Sequence, residues 1–194
     1  MRITGGEYGG RNLKVPRSDA IRPTQDRVRE ALFNIVQFEV PGSDFLDLFA
    51  GSGAVGIEAL SRGAATVTFV ERDRRHLATL RENLAAVGRA DEASVRVVSA
   101  DCYRWLETYA GAGFSIGFAD PPYALGEEKG YAQVLATLAA RDVIRPSGIF
   151  IAEMTAVQKA EETPGWELIR DRTYGKTRLC LWRRLAKESK GVTP

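Results

Sequence analysis

The sequence predicts a doubly wound α/β fold around a mostly parallel, Rossmann-like, seven-stranded sheet, and three observations carry that expectation. Short apolar runs alternate with stretches of helical period from about residue 44 to residue 160. Glycines punctuate the alternation where a strand would turn into a helix or a helix would stop, at Gly51-Ser52-Gly53 and at Gly63. The C-terminal stretch breaks the pattern: 166–173 and 177–183 read as two strands around Tyr174-Gly175-Lys176, an antiparallel hairpin at one edge of the sheet. With 194 residues the chain suits one domain with a substantial core, and 44% apolar residues exclude wholesale disorder.

Each element has its own warrant. Met1–Gly5 and Arg11–Val15 flank Gly9-Gly10 and predict an N-terminal β-hairpin extension, followed by a linker from Pro16 to Pro23. Thr24 reads as the N-cap of a helix over 25–37, with Val28, Leu32 and Ile35 on one face and Asp26 in its first turn. Strands are predicted at 44–49, 66–70, 95–99, 114–119 and 148–153. Helices follow them at 54–62, 73–87, 102–110, 127–140 and, weakly, 155–160. The domain expectation is a basic hairpin and linker over 1–23, a catalytic domain over 24–185 and a disordered tail over 186–194.

Several classes are disfavoured. No run approaches the roughly 18–20 apolar residues of a membrane span, and Met1–Gly6 has no apolar signal core, so a cytoplasmic protein is expected. Cys102 and Cys180 are too far apart in sequence to announce a disulfide framework or zinc site. His76, the only histidine, sits among charged residues on a predicted helix. No metal is expected, and a monomer is adequate.

The net charge of +2 conceals a segregation. Residues 1–29 hold seven basic and three acidic groups, and residues 166–194 hold eight and three, so the ends carry +4 and +5 and the middle −7. Basic flanks around an acidic core suit a polyanionic partner if the fold brings the ends together.

Gly51-Ser52-Gly53-Ala54-Val55-Gly56 is a GxGxxG after a strand, with Glu71 twenty residues after Gly51. On paper that suits NAD and an oxidoreductase. Asp47, near the end of the preceding strand, points elsewhere: a carboxylate there repels a pyrophosphate and attracts a cation. S-adenosylmethionine carries an ammonium and a sulfonium and no phosphate. Asp101, at the end of the third strand, adds an acid that could accept from an adenine amine, with Cys102 beside it as pocket wall; equally, Asp101 could cap the next helix. The cofactor contacts expected are Asp47, Phe49, Ala50, Gly51, Ser52 and Gly53 from the loop. Glu71, Arg72, Asp101 and Cys102 complete them.

Asp120-Pro121-Pro122-Tyr123 closes the fourth strand. An exocyclic base amine is a poor nucleophile, its lone pair delocalised into the ring. The Asp120 carboxylate and the Pro121 carbonyl could grip both amine hydrogens, the prolines stiffening the backbone. Tyr123 offers a face for a flipped base. These four are the catalytic candidates.

With Arg2-Ile3-Thr4-Gly5-Gly6, Arg22-Pro23-Thr24, Asp26–Asn34, Asp47–Gly53, Glu58–Ala64, Glu71, Asp101 and Asp120–Tyr123, the chain resembles the RsmD family. That family comprises bacterial 16S ribosomal RNA guanine-N2 methyltransferases of the class I S-adenosylmethionine-dependent superfamily. The resemblance implies a class I methyltransferase fold, the cofactor and catalytic residues above, and 16S rRNA within an assembled or assembling small ribosomal subunit as partner. It also implies RNA contacts by the N-terminal hairpin and Arg22-Pro23-Thr24 near the catalytic edge. Arg2, Arg11, Arg22, Thr24 and Arg27, with Lys176 and Arg178 from the C-terminal hairpin, are the RNA-binding candidates. The Asp-Pro-Pro-Tyr segment is shared with DNA adenine methyltransferases, so by itself it does not choose the base.

Overall fold

The computed structural model describes residues 1–16, 23–121, 123–160 and 162–186, with the backbone alone at 23–25 and 123–130. Its parallel strands are β1 (Asp44–Leu48), β2 (Thr66–Glu71), β3 (Val95–Ser99), β4 (Phe114–Ala119) and β5 (Ile144–Thr155). Helix α1 (Pro23–Ile35) precedes β1. The crossovers are α2 (Ala54–Ser61), α3 (Arg74–Ala86), α4 (Cys102–Thr108) and α5 (Tyr123–Ala140). Strands β6 (Trp166–Tyr174) and β7 (Thr177–Arg184) form the antiparallel hairpin, β7 pairing with β5. The sheet order is β3-β2-β1-β4-β5-β7-β6. The order reverses direction between β1 and β4, the switch point where open α/β sheets bind ligands.

Both faces of the sheet are covered, as parallel strands require. Phe45 of β1 packs with Phe33, Ile57, Phe69 and Leu80 on one face. Leu46 and Leu48 pack with Phe150, Trp166 and Trp182 on the other. Asp47, in alternation with them, therefore faces the side of α2.

Several elements differ from expectation. Helix α1 begins at Pro23, whose fixed φ suits a first helical position, so Thr24 lies inside the helix and is not its N-cap. Strand β5 runs on to Thr155 because it pairs with β7 as far as Thr155↔Thr177. The weak helix at 155–160 does not form: Gln158 Oε1 accepts from Thr155 N–H at 2.8 Å and closes a turn instead. The N-terminal hairpin is reduced to one bridge, Arg2↔Asn12. Even so, its Ile3, Tyr8 and Leu13 are buried in the same core as Phe33 and Ile57.

A buried ionic knot joins that segment to the domain. Glu58 of α2 is fully buried, and its carboxylate accepts from Arg29 Nε of α1 at 2.7 Å and from Arg62 Nη2 at 2.9 Å. Thr4 donates to it through both its backbone N–H and its hydroxyl. Arg29, itself buried, also donates to the Arg2 carbonyl and to Asp26. Removing one partner of such a group strands the others in a low dielectric. Glu58→Ala is therefore expected to cost about 3–5 kcal/mol in urea unfolding, from the uncompensated Arg29. A change below about 1 kcal/mol would show that the knot is solvated and of little weight.

Candidate active site at the C-terminal edge of the sheet

Every parallel strand delivers its C-terminal end to one edge, and a carboxyl stands at each: Asp47, Glu71, Asp101, Asp120 and Glu153. Asp47 is buried, and its Oδ2 accepts from the Gly56 N–H of α2 at 2.9 Å. A protein carboxylate thus takes the helix N-terminal amide that a dinucleotide pyrophosphate uses in a Rossmann site. The geometry tells against NAD and favours a cationic ligand. Burial pushes the Asp47 carboxyl up to about 7 against the Gly56 bond, with Glu71 and Asp120 adding repulsion.

The loop between β1 and α2 needs its glycines. Gly53 has φ +81°, and a Cβ there would lie 2.2 Å from Leu80 Cδ1. At Gly56 a Cβ would lie 2.2 Å from Phe69 Cε1, so its absence lets α2 press on β2. Phe49 also holds a positive φ, 58°, and packs edge-on against Tyr103 with ring centroids 5.6 Å apart. Ala50 and Ser52 are buried beneath the loop, and the Ser52 carbonyl accepts from Asn83 at 2.9 Å.

Glu71 braces the loop. Its Oε2 accepts from Gly51 N–H and its Oε1 from Arg72 and Asp73 N–H, each at 2.8 Å. Oε2, with one donor, keeps room for a second such as a ribose hydroxyl. Asp101 caps α4, accepting from Tyr103 and Arg104 N–H at 3.1 and 3.2 Å, and its other oxygen meets exposed Arg72 at 3.3 Å. Cys102 is buried, accepts from Phe49 N–H at 3.2 Å, and burial pushes its thiol up to about 12. A buried thiol kept in its neutral form is a poor nucleophile.

Asp120 is exposed to solvent, yet the protein packed around it desolvates its carboxyl and pushes it up to about 7. Pro121 is buried beside it. Pro122 and the Tyr123 side chain lie outside the described residues, as do Arg22 and the Thr24 side chain.

The remaining RNA-binding candidates do not gather at this edge. Arg11 lies by the Ala86 carbonyl, at 3.5 Å, at the end of α3 remote from the strand-end acids. The hairpin tip is held there by Ser61, whose carbonyl accepts from Glu7 N–H at 2.7 Å, and by Arg89 on Tyr8. The expectation of a hairpin tip near the catalytic edge is thereby corrected. Arg178 is committed to Asp171, at 2.7 Å through Nε, and to the Gln158 carbonyl. Arg2 and Arg27 are exposed, and Lys176 is exposed in the β6–β7 turn, which returns to the catalytic edge beside the end of β5.

Sequence reasoning missed Glu153 and three arginines, and it named Arg72 only as a cofactor contact. A carboxyl after each of four strands was a signal that the fifth, Glu153, extends. Arg72, Arg74 and Arg75 at the start of α3 and Arg104 in α4 are exposed at the same edge. Segment-averaged charge hid them inside the acidic middle. A groove of about 310 Å³ lined by Ile35, Leu168 and Arg183 lies at the opposite end of the sheet, away from this chemistry.

The strand order, the glycine loop and the carboxyl sealing the α2 N-terminus define a class I methyltransferase fold. Residues 1–183 match the family described as Conserved hypothetical protein 95. The chain is 35% identical to ribosomal RNA small subunit methyltransferase D of Escherichia coli K12, over 96% of this chain and 91% of that one. It is 34% identical to the protein of the same name from Haemophilus influenzae, over 90% and 89%. Among solved structures, yhhF from Escherichia coli matches with a TM-score of 0.83 at 35% identity, covering 96% of this chain and 99% of that one. The chain belongs to the RsmD family.

The raised Asp47 carboxyl makes stability pH-dependent. A carboxyl raised on folding contributes fully below its unfolded value and loses that contribution as pH rises through about 7. Asp47→Asn removes the loss. The variant is expected to gain about 1–4 kcal/mol on wild type between pH 5 and pH 8 in urea unfolding. A pH-independent difference would mean that Asp47 is ionised throughout.

Proposed function

We propose that this protein transfers a methyl group from S-adenosylmethionine to the exocyclic N2 amine of a guanine in 16S ribosomal RNA. The observation that carries the reading is the acidic strand-end row, sealed against phosphate at Asp47 and open to solvent at Asp120. The names of the RsmD relatives support ribosomal RNA of the small subunit as substrate.

When bound, S-adenosylmethionine supplies an electrophilic methyl on a sulfonium. Asp47 would answer the cofactor's positive charge, giving up its own proton as the ligand enters. Glu71 and Asp101 would take the ribose and the adenine amine, with Cys102 and Phe49 as apolar wall and the Gly51–Gly53 backbone close beneath. Asp120 and the Pro121 carbonyl would accept the two hydrogens of the target amine, turning its lone pair towards the methyl. Catalysis is then chiefly alignment for an in-line displacement. Pro122 and Tyr123 keep their sequence-based roles, stiffening the segment and stacking the base.

The RNA surface follows from what is exposed at this edge: Lys176 from the β6–β7 turn, with Arg72, Arg74, Arg75 and Arg104 beside the cofactor loop.

Incubated with labelled S-adenosylmethionine and small subunits from a strain lacking this enzyme, the protein is expected to produce N2-methylguanosine in 16S rRNA. Asp120→Ala should reduce the rate at least about 100-fold. Transfer by the variant at the wild-type rate would remove Asp120 from the chemistry. RNA affinity should fall steeply with salt, and a combined Arg74→Ala, Arg75→Ala variant should flatten the log–log slope by about two. Arg11→Ala should leave the slope alone, and equal effects from both would refute the assignment of the edge.

A further inference from the structure

Glu153 is the one strand-end acid with no part in the scheme above. Its place is specific. Strands β4 and β5 are parallel neighbours in register at Ala119↔Ala152. The next residues on each are Asp120 and Glu153, so the two acids stand side by side, about 4.8 Å apart between backbones, on the same face of the sheet. The Glu153 backbone is fixed from behind: its carbonyl accepts from Tyr131 Oη of α5 at 2.7 Å, and that ring stacks on Trp182. Glu71, Asp101 and Asp47 each accept backbone N–H bonds. Among the described residues no N–H donates to the side chain of Asp120 or Glu153. Two adjacent crowded carboxyls cannot both ionise readily, and the favourable arrangement has one of them keep a proton and share it.

We propose that Glu153 is a positioning residue for methyl transfer, acting as the neutral acid that donates a hydrogen bond to the Asp120 carboxylate and holds it anionic and aimed at the target amine. The inference rests on the function proposed above. In the step itself the N–CH3 bond forms as the S–CH3 bond breaks, the electron pair staying on sulfur. The nitrogen then sheds one proton to Asp120, which passes it to the solvent at its open side. Glu153 keeps its own proton throughout, so none is gained or lost there.

The surroundings set which acid holds the proton. Burial and the charge of Asp120 push Glu153 up to about 8, although the Arg29 guanidinium of α1 pulls the other way. Asp120 is pushed up as well, but it is the more exposed of the two. Asp47 of β1 faces Asp120, and Tyr131 of α5 faces both, its phenol raised well above its usual range by burial and their charge. Tyr103 of α4 and Cys180 of β7 lie around Tyr131. Asp120, open to solvent, is therefore the acid that ionises, and the half-buried Glu153 the one that keeps the proton.

The test is the single-turnover methyl-transfer rate against pH, at saturating cofactor and small subunits, for wild type, Glu153→Ala and Glu153→Gln. Wild type should lose rate above about pH 8 as Glu153 ionises. Glu153→Ala should be about 10- to 100-fold slower with KM for subunits within about twofold, the loss expected of one charge-assisted hydrogen bond. Glu153→Gln, whose amide can still donate, should recover part of that rate and should lack the alkaline decline. Cofactor affinity by calorimetry and the urea midpoint separate this role from misfolding: for the glutamine variant both should match wild type within experimental scatter. An alanine variant as fast as wild type, or an alkaline decline persisting in the glutamine variant, would overturn the inference. Absence of transfer by wild type would instead overturn the proposed function.

Discussion

Like charge crowded at one edge of a sheet is the constraint on which this structure turns. Five parallel strands end in five carboxyls. Repulsion at that density is tolerable only where each acid finds donors, gives up its charge or awaits a cation. Glu71 takes three backbone N–H groups and Asp101 two. Asp47 takes one, and the pair Asp120 and Glu153 none among the described residues. The gradient runs from acids that organise loops to acids held in reserve for a ligand. It explains why the same glycine pattern that serves pyrophosphate elsewhere is turned here towards a positive group.

A second ionic device lies under the first. Glu58 gathers Arg29, Arg62 and Thr4 at a fully buried point, tying α1, α2 and the N-terminal segment together. The charge of Arg29 also reaches Glu153. The helix behind the cofactor loop and the helix that follows the basic linker are thereby held in one rigid frame around the edge. The N-terminal segment belongs to that frame through Ile3, Tyr8 and Leu13.

The disposition of positive charge shows where linear reading stops. Basic flanks around an acidic middle suggested that the two ends grip a polyanion. In space the flanks divide. Lys176 stands in the turn beside the end of β5, whereas Arg11 sits by Ala86 at the far end and buried Arg184 pairs with Asp142. The acidic middle meanwhile supplies Arg72, Arg74, Arg75 and Arg104 to the catalytic edge. Cations at helix starts oppose the helix dipole, at about 0.3–1 kcal/mol each.

Strand and helix order, the cofactor loop and the Asp120 segment were legible because they rest on local periodicity and on residue types whose chemistry is specific. Asp47 was readable as a strand-end acid because its place four residues before Gly51 puts it there whatever the packing. Tertiary structure decided the rest. Pairing with β7 carried β5 past its expected end at residue 153. Register between β4 and β5 set Glu153 beside Asp120, and burial of Ile3, Tyr8 and Leu13 made a predicted appendage part of the core. These outcomes depend on contacts between residues tens of positions apart, whose energies appear only once the chain has closed on itself. Composition and spacing therefore determined which chemistry the protein carries, and packing determined which groups meet to perform it.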